Sequence, residues 1–455
     1  MAQKRTSLWR YMRHLWNSED IRRKLLITIF LLAIFRLAAN IPAPGVDTEA
    51  LRAFRDANTG STGFLGILDL LSGGTISNFS LLSMGVYPYI TAQIIIQLLI
   101  PIIPALQRRM EEDPREGRKW MEKWTYYLSV PMAMLSAIGQ INIFNSLAGQ
   151  TIVNFSFKGE FLVPSLTTLI AMTAGTMFAI WIGELISEYG IRGQGLSLVI
   201  FAGIVAQMPA SILALSQDQT NGLILILITL GLTLLTIYAI VYVQAGRRNV
   251  PVMYPGRRMG NRMSMPVKGT LPLNVNMAGM IPLIFASAIL QFPVIIASYF
   301  QSSETAWVQT TSSWITTNLG STSGGLYWWL YFFMVVTFTF FYTTVLFDQQ
   351  NYGENLKRQG AQIPGVNRGA PTQKYLKRVQ SLITLPGALF LGLVAIAPYL
   401  IGLLLQPLGV GANTASVFLG SSSGLLIVVG VVRDTFMNIE AELKLHGYED
   451  TLLVK

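Results

Sequence analysis

Cysteine is absent from all 455 residues, so no disulfide, thiolate nucleophile or cysteine-ligated metal belongs to this chain. Histidine is nearly absent. His14 and His446 lie at opposite ends, which rules out a histidine metal site or proton relay in the apolar segments. Charge is scarce: Asp, Glu, Lys and Arg make up 12% of the residues, against roughly 25% in an average soluble domain. No GxxxxGK[ST] occurs, so the chain has no P-loop for ATP. The glycine-serine run at 420–424, GSSSG, has no Lys behind it and reads as a site of close helix packing or a hinge. No HExxH or carboxylate dyad falls on an apolar segment, and the chain's two histidines lie at its ends, so an intramembrane enzyme lacks its catalytic groups.

Apolar length is what the chain has in quantity. Hydrophobic residues make up 52%, and several runs reach the roughly 20 residues needed to cross a bilayer. A β-barrel would show short alternating segments instead. The expected class is an all-α integral membrane protein with ten spans, at 25–41, 80–104, 124–147, 162–186, 196–215, 222–244, 274–301, 326–347, 382–405 and 420–439. Lys and Arg test that division. Segments on one side of it, both termini included, hold 28 of the 33; the opposite loops hold 3, and Arg36 and Arg433 sit within spans. Positive charge collects on the cytoplasmic side, so both termini are expected there. The basic segment 1–24 is not followed by a small-residue cleavage site, so no cleaved leader is expected.

Ten spans divide into two fives. A five-span unit, when duplicated, inserts in opposite orientations and leaves a path at the interface of the repeats. The expected organisation is a cytoplasmic N-terminus (1–24), an N-terminal half (25–215), a C-terminal half (216–439) and a cytoplasmic tail (440–455). Residues 85–104, GVYPYITAQIIIQLLIPIIP, are uncharged yet carry Gln93 and Gln97, which a purely lipid-facing span does not need. Val86 and Ile90 are four apart and share one helical face, which is expected to line a narrow path. Glu184, Glu188, Arg433 and Asp434 fall at span ends, so no ionisable group marks the midplane where ion-coupled carriers place one. A carrier that uses backbone carbonyls is not removed by this argument.

The outer segment 42–79 opens with PAPG and contains 64–71, FLGILDLL, too short to span, followed by Gly73 and Gly74. It can fold back into a funnel or lie on the membrane surface. Two inner loops are longer than a connection requires. The loop at 245–273 carries Arg247, Arg248, Arg257, Arg258, Arg262 and Lys268, and the loop at 348–381 carries Lys357, Arg358, Arg368, Lys374, Lys377 and Arg378. Sidedness explains part of this charge. Length with Gly and Pro points to protruding hairpins that dock an acidic partner such as RNA.

Five stretches in order resemble one family. They are RLAANIPAPGVD (36–47), GVYPYITAQIIIQLL (85–99), WIGELISEYGIRGQGLSLVIFAGIV (181–205), NMAGMIPLIFASAILQFP (276–293) and NLKRQGAQIPGVNRGAPTQKY (355–375). The chain resembles the SecY family, the channel subunits of the general secretory (Sec) translocon, nearly end to end. The resemblance implies two inverted halves around an hourglass pore that passes unfolded secretory precursors and releases transmembrane segments sideways into lipid. It implies an apolar pore ring of Val86, Ile90, Leu196, Ile200, Ile284 and Ile427. It implies a plug at 64–74 with Phe64, Leu65, Ile67, Leu68, Asp69, Leu71, Gly73 and Gly74. Thr91, Gln97 and Asn276 become lateral-gate candidates, with hydrogen bonding inside one half as the alternative. Arg247, Arg248, Arg257, Arg258, Lys357, Arg358, Arg368 and Lys374 become the docking cations for a SecA ATPase or a ribosome. SecE-like and SecG-like small membrane subunits, signal peptides, nascent chains and the lipid bilayer are the other implied partners. No cofactor or metal is implied, and the home is a bacterial cytoplasmic membrane or a thylakoid. One motif departs: the family's PGxRPG reads PGVNRG at 364–369, with Asn367 at the usual arginine and Arg368 beside it.

Overall fold

The computed structural model describes residues 18–47, 49, 79–148, 153, 155, 161–216, 222–255, 258–259, 262–263, 267–300, 305–319, 325–405 and 412–445. Ten helices overlap the ten expected spans one by one. They are α1 (Glu19–Ala38), α2 (Tyr87–Ile102), α4 (Pro114–Ala148), α5 (Leu162–Tyr189), α6 (Gly195–Ser216), α7 (Gly222–Ala245), α8 (Ile281–Phe300), α10 (Gly325–Gln350), α12 (Ala370–Leu405) and α13 (Ala412–Leu445). Three shorter helices lie in connections: α3 (Pro104–Glu112), α9 (Ala306–Leu319) and α11 (Tyr352–Arg358). By length and composition alone, the helices at Leu162–Tyr189, Leu227–Ala245, Gly325–Arg358 and Ala370–Ala397 suffice to cross a membrane, and α2 joined to α3 adds a fifth.

The first, third and tenth helices run past or short of their expected outlines, at Glu19–Ala38, Pro114–Ala148 and Ala412–Leu445, the second starts only at Tyr87, and three spans differ for a visible local reason. The second stops at Ile102 and turns by 94° into α3. Pro104 drives Ile103 out of the helical region, to φ −100 and ψ 107, and then occupies the first turn of α3, where its missing N–H costs nothing. The seventh begins at Ile281, because Asn274 still belongs to a strand and 275–280 form an irregular turn. The ninth is the apolar part of a 36-residue helix that starts at Ala370. Lys374, Lys377 and Arg378 therefore ride on the same rigid rod as the apolar run.

The loop at 245–273 is a β-hairpin. Strands β1 (Arg247–Tyr254) and β4 (Val267–Asn274) pair antiparallel from Arg247↔Asn274 to Tyr254↔Val267, with the short pair β2 (Arg258–Met259) and β3 (Arg262–Met263) beyond. The loop at 348–381 is not a hairpin; it is α11, a turn and the start of α12. The two do not protrude separately. Met253 and Gln362 exchange both backbone hydrogen bonds at 2.8 Å. Val250, Val252 and Leu273 of the hairpin share a small core with Phe347, Leu356, Ala361, Ile363 and Leu376.

The membrane helices bury four further clusters. One joins α1, α2, α5, α6 and α13 around Phe35, Ile186 and Ile427. A second joins α4, α5 and α8 around Ile141, Met172 and Ile295. A third packs α7, α8, α10, α12 and α13 around Tyr331, Leu391 and Leu426. The fourth, smaller, joins α2, α8 and α10.

Candidate functional site

The six ring candidates come from four helices. Val86 immediately precedes α2 and its carbonyl accepts from the Ile90 amide at 3.1 Å, so the two do stack along one face. Leu196 and Ile200 lie on α6, Ile284 on α8 and Ile427 on α13. Gly183 of α5 gives Leu196 its space: a methyl group there would stand 2.8 Å from Leu196 Cδ2. Val86, Ile200, Ile284 and Ile427 are buried, and Ile90 and Leu196 half-buried. Val86, Ile200 and Ile427 belong to one cluster, with Ile90 and Leu196 packed against it; Ile284 belongs to the neighbouring cluster, and Ile90 packs against that one too. Ile90 thus lies where the two clusters meet. None of the six side chains carries a polar atom. Aliphatic groups in contact exclude water, and they separate without breaking a hydrogen bond.

Beside this junction, α2 and α4 meet α8 along a seam. The Tyr87 hydroxyl donates to the Ala288 carbonyl at 3.4 Å, and the Tyr299 hydroxyl to the Leu135 carbonyl at 3.2 Å. Gly139 lets α4 come close: a Cβ at that position would stand 2.6 Å from Ile295 Cγ2. Phe285 fills the gap toward α10, edge-on to Tyr342 at 5.5 Å.

The three gate candidates are not brought together by hydrogen bonds to one another. Thr91 donates back to the Tyr87 carbonyl at 3.0 Å. Gln97 Oε1 is buried with no partner among the described residues. Asn276 is committed locally: its amide donates to the Gly279 carbonyl at 3.0 Å and its oxygen accepts from the Gly279 amide at 2.9 Å. Gly279 sits at φ +65, a region glycine enters without strain. Asn276 therefore sets where α8 begins.

The sequence model for SecY matches residues 80–436. This chain belongs to the SecY family. The protein translocase subunit SecY of Aquifex aeolicus is 37% identical over 443 residues, covering 95% of this chain and 97% of the relative. That of Streptomyces coelicolor is 35% identical over 442 residues, covering 96% and 98%. Two solved structures share the fold. One, described as the structure of a protein conducting channel, aligns with a TM-score of 0.62 at 17% identity, over 94% of each chain. Another, on the plug domain of a SecY protein, aligns at 0.60 and 18% identity, over 94% of this chain and 93% of the other.

The remaining SecY candidates divide. The plug residues Phe64, Leu65, Ile67, Leu68, Asp69, Leu71, Gly73 and Gly74 lie outside the described residues, as does Arg257. Arg247 and Arg248 are exposed at the foot of β1, and Arg258 lies on β2. Lys357 and Arg358 are exposed on α11, 3.7 and 3.6 Å from Glu354, and Arg368 and Lys374 are exposed beyond it. At such exposure ion pairs hold little, about 0–1 kcal/mol, so these cations are available to a partner. In the PGVNRG turn, the Asn367 carbonyl accepts from the Thr372 hydroxyl at 2.7 Å, and Gly365 and Gly369 take φ +80 and +88. Beneath it, Phe347 packs on Tyr352 at 5.2 Å.

Sequence reasoning missed Gly139, Tyr299 and the joint core of the two loops. A small residue inside an apolar span signals close helix approach, and that signal was present at Gly139. The alternation of Val250 and Val252 on β1 marked a buried face, but nothing local named Ile363 as its cover.

Proposed function

We propose that this chain is the channel subunit of a protein translocase, a passive conduit for unfolded polypeptides. The observation that carries the reading is the set of six aliphatic residues on or beside α2, α6, α8 and α13, divided between two clusters that both pack against Ile90, in a chain of the SecY family. Val86, Ile90, Leu196, Ile200, Ile284 and Ile427 act as a gasket. Aliphatic side chains pack around a passing chain without hydrogen-bonding it, so the seal tolerates any sequence and still resists ions. The plug at 64–74 closes the outer side of the gasket. Ten helices span the membrane in two inverted halves, 25–215 and 216–439, with both termini in the cytoplasm of a bacterium.

Transmembrane segments leave sideways where α2 and α4 meet α8 and α10. Thr91 and Gln97 face the leaving segment, and Asn276 positions the gate helix. An apolar signal sequence is held there by partition into hydrocarbon, at roughly 25 cal/mol per Å² of buried apolar surface. The driving force is external, a SecA ATPase or a ribosome, since the sequence has no P-loop. Both dock on the joined hairpin and α11 platform through Arg247, Arg248, Arg257, Arg258, Lys357, Arg358, Arg368 and Lys374. SecE-like and SecG-like subunits complete the complex.

A photoreactive residue at Ile90, with a control at the exposed Leu230 of α7, tests the conduit. A signal-bearing precursor is stalled part-way across membranes that contain the complex and its motor. Capture at Ile90 and not at Leu230 is the expected result. Passage of the precursor with capture at neither site overturns the pore assignment and turns attention to a small-solute carrier.

A further inference from the structure

Between the outer ends of α8 and α10 lies α9, fourteen residues without a charge: AWVQTTSSWITTNL. Its side chains fall into separate sectors when turned through the 100° per residue of a helix. One sector faces the protein. Ser312 is buried, Val308 half-buried, and Ile315 and Leu319 pack against the cluster that holds Ile295 of α8. The sector about 180° from it carries Thr310, Ser313 and Thr317, all exposed. The flank between them carries Trp307, Thr311, Trp314 and Asn318. Trp307 is 73% exposed and Trp314 55%.

Two exposed tryptophans on one flank of an uncharged helix are costly in water. Their polar neighbours do not look outward for partners. The Thr311 hydroxyl donates to the Trp307 carbonyl at 2.8 Å, and the Asn318 amide to the Trp314 carbonyl at 2.9 Å. A hydroxyl bonded within the helix leaves water at less cost; Thr310 and Ser313 on the outer face bond back in the same way, to Ala306 and Gln309 at 2.8 Å, so the two tryptophans are what set the flank apart. The two helices that α9 connects also expose apolar stripes. Phe292, Ile296, Tyr299 and Phe300 form the exposed stripe that ends α8, and Leu326, Trp329, Leu330 and Phe333 form the one that begins α10.

We propose that α9 is an interfacial anchor, with Trp307 and Trp314 seated at the headgroup level of the outer leaflet. An indole ring, apolar in body with one N–H donor, suits that boundary. Through Ile315 and Leu319 the anchor holds the outer part of α8 at the level of Ile295, where Gly139 of α4 meets it. The proposal rests on the reading of the chain as a membrane channel.

The absence of cysteine makes single-cysteine spin labels clean reporters. The complex would be reconstituted into phosphatidylethanolamine–phosphatidylglycerol vesicles with the label at Thr311→Cys on the flank, at Ser313→Cys or Thr317→Cys on the outer face, or at Phe333→Cys on α10. Collision rates with oxygen, which favours lipid, and with a water-soluble nickel chelate would be compared. The expected oxygen-to-nickel ratio at Thr311 is several-fold above that at Ser313 and Thr317, and it falls to their level when Trp307→Ala and Trp314→Ala are added. A Thr311 label as open to nickel as Ser313, with Phe333 still in lipid, overturns the anchor alone. A Thr311 label shielded from both reagents means that a protein covers the flank and equally overturns it. A Phe333 label open to nickel would instead overturn the membrane reading beneath it.

Discussion

Gly139 and Ile295 set the tightest contact of the seam. Ile295 is β-branched and stiff at χ1, so Cγ2 has little freedom to yield to a new Cβ 2.6 Å away. Gly139→Ala is expected to destabilise the fold by about 1–3 kcal/mol through overpacking. Ile295→Ala in the same chain should recover part of that loss, so the two effects are non-additive. Thermal unfolding of the four combinations in detergent reads both effects, and additive losses would show that the close approach does not matter. At the junction, Ile427 is 2% exposed. Ile427→Ala removes a buried side chain at a cost of about 2–5 kcal/mol, and it should raise the ion conductance of the idle channel in planar bilayers. An unchanged conductance would argue that Ile427 is ordinary core.

At the scale of elements, the hairpin and the α11 segment form one body. Their joint core contains Ile363, 2% exposed, in one cluster with Val250 and Val252. Ile363→Ala should free the hairpin from α11, and amide hydrogen exchange should rise in β1 around Met253, whose amide donates to Gln362. Unchanged protection in β1 would mean that the two strands suffice alone. The exposed cations on this body make a second prediction. If the partner is RNA, Arg247→Ala with Arg248→Ala should make the slope of log affinity against log salt shallower by about 1–2 units, since each lost phosphate contact removes about 0.9. Ribosome binding to vesicles at several salt concentrations measures it. A slope that stays put while affinity falls would place a protein surface, not phosphate, against these arginines.

For the whole molecule, much was legible in order along the chain. Apolar length located the helices, because crossing a bilayer is a property of one segment. The motif 85–99 led to Val86 and Ile90, and their shared face survived because a helix repeats regularly. The errors were local. Pro104 ended a helix that composition alone extended, and Asn274–Met280 kept strand and turn geometry inside a stretch apolar enough to be taken for helix. Asn276 is a separate case: its side chain engages Gly279 within its own half, the alternative left open beside a gate role. Sequence could name it polar but could not say where its hydrogen bonds went.

By itself the sequence determined the family of the protein, the places of its apolar segments and the aliphatic character of the six ring candidates. Each follows from composition or from periods of a few residues, which the chain carries locally. Tertiary structure alone decided that Ile90 joins the clusters of Ile427 and Ile284, that Gly139 meets Ile295, and that Ile363 shares a core with Val250. Those contacts join helices and loops far apart in the chain. They depend on which ridge enters which groove when the helices pack, and no local pattern encodes that.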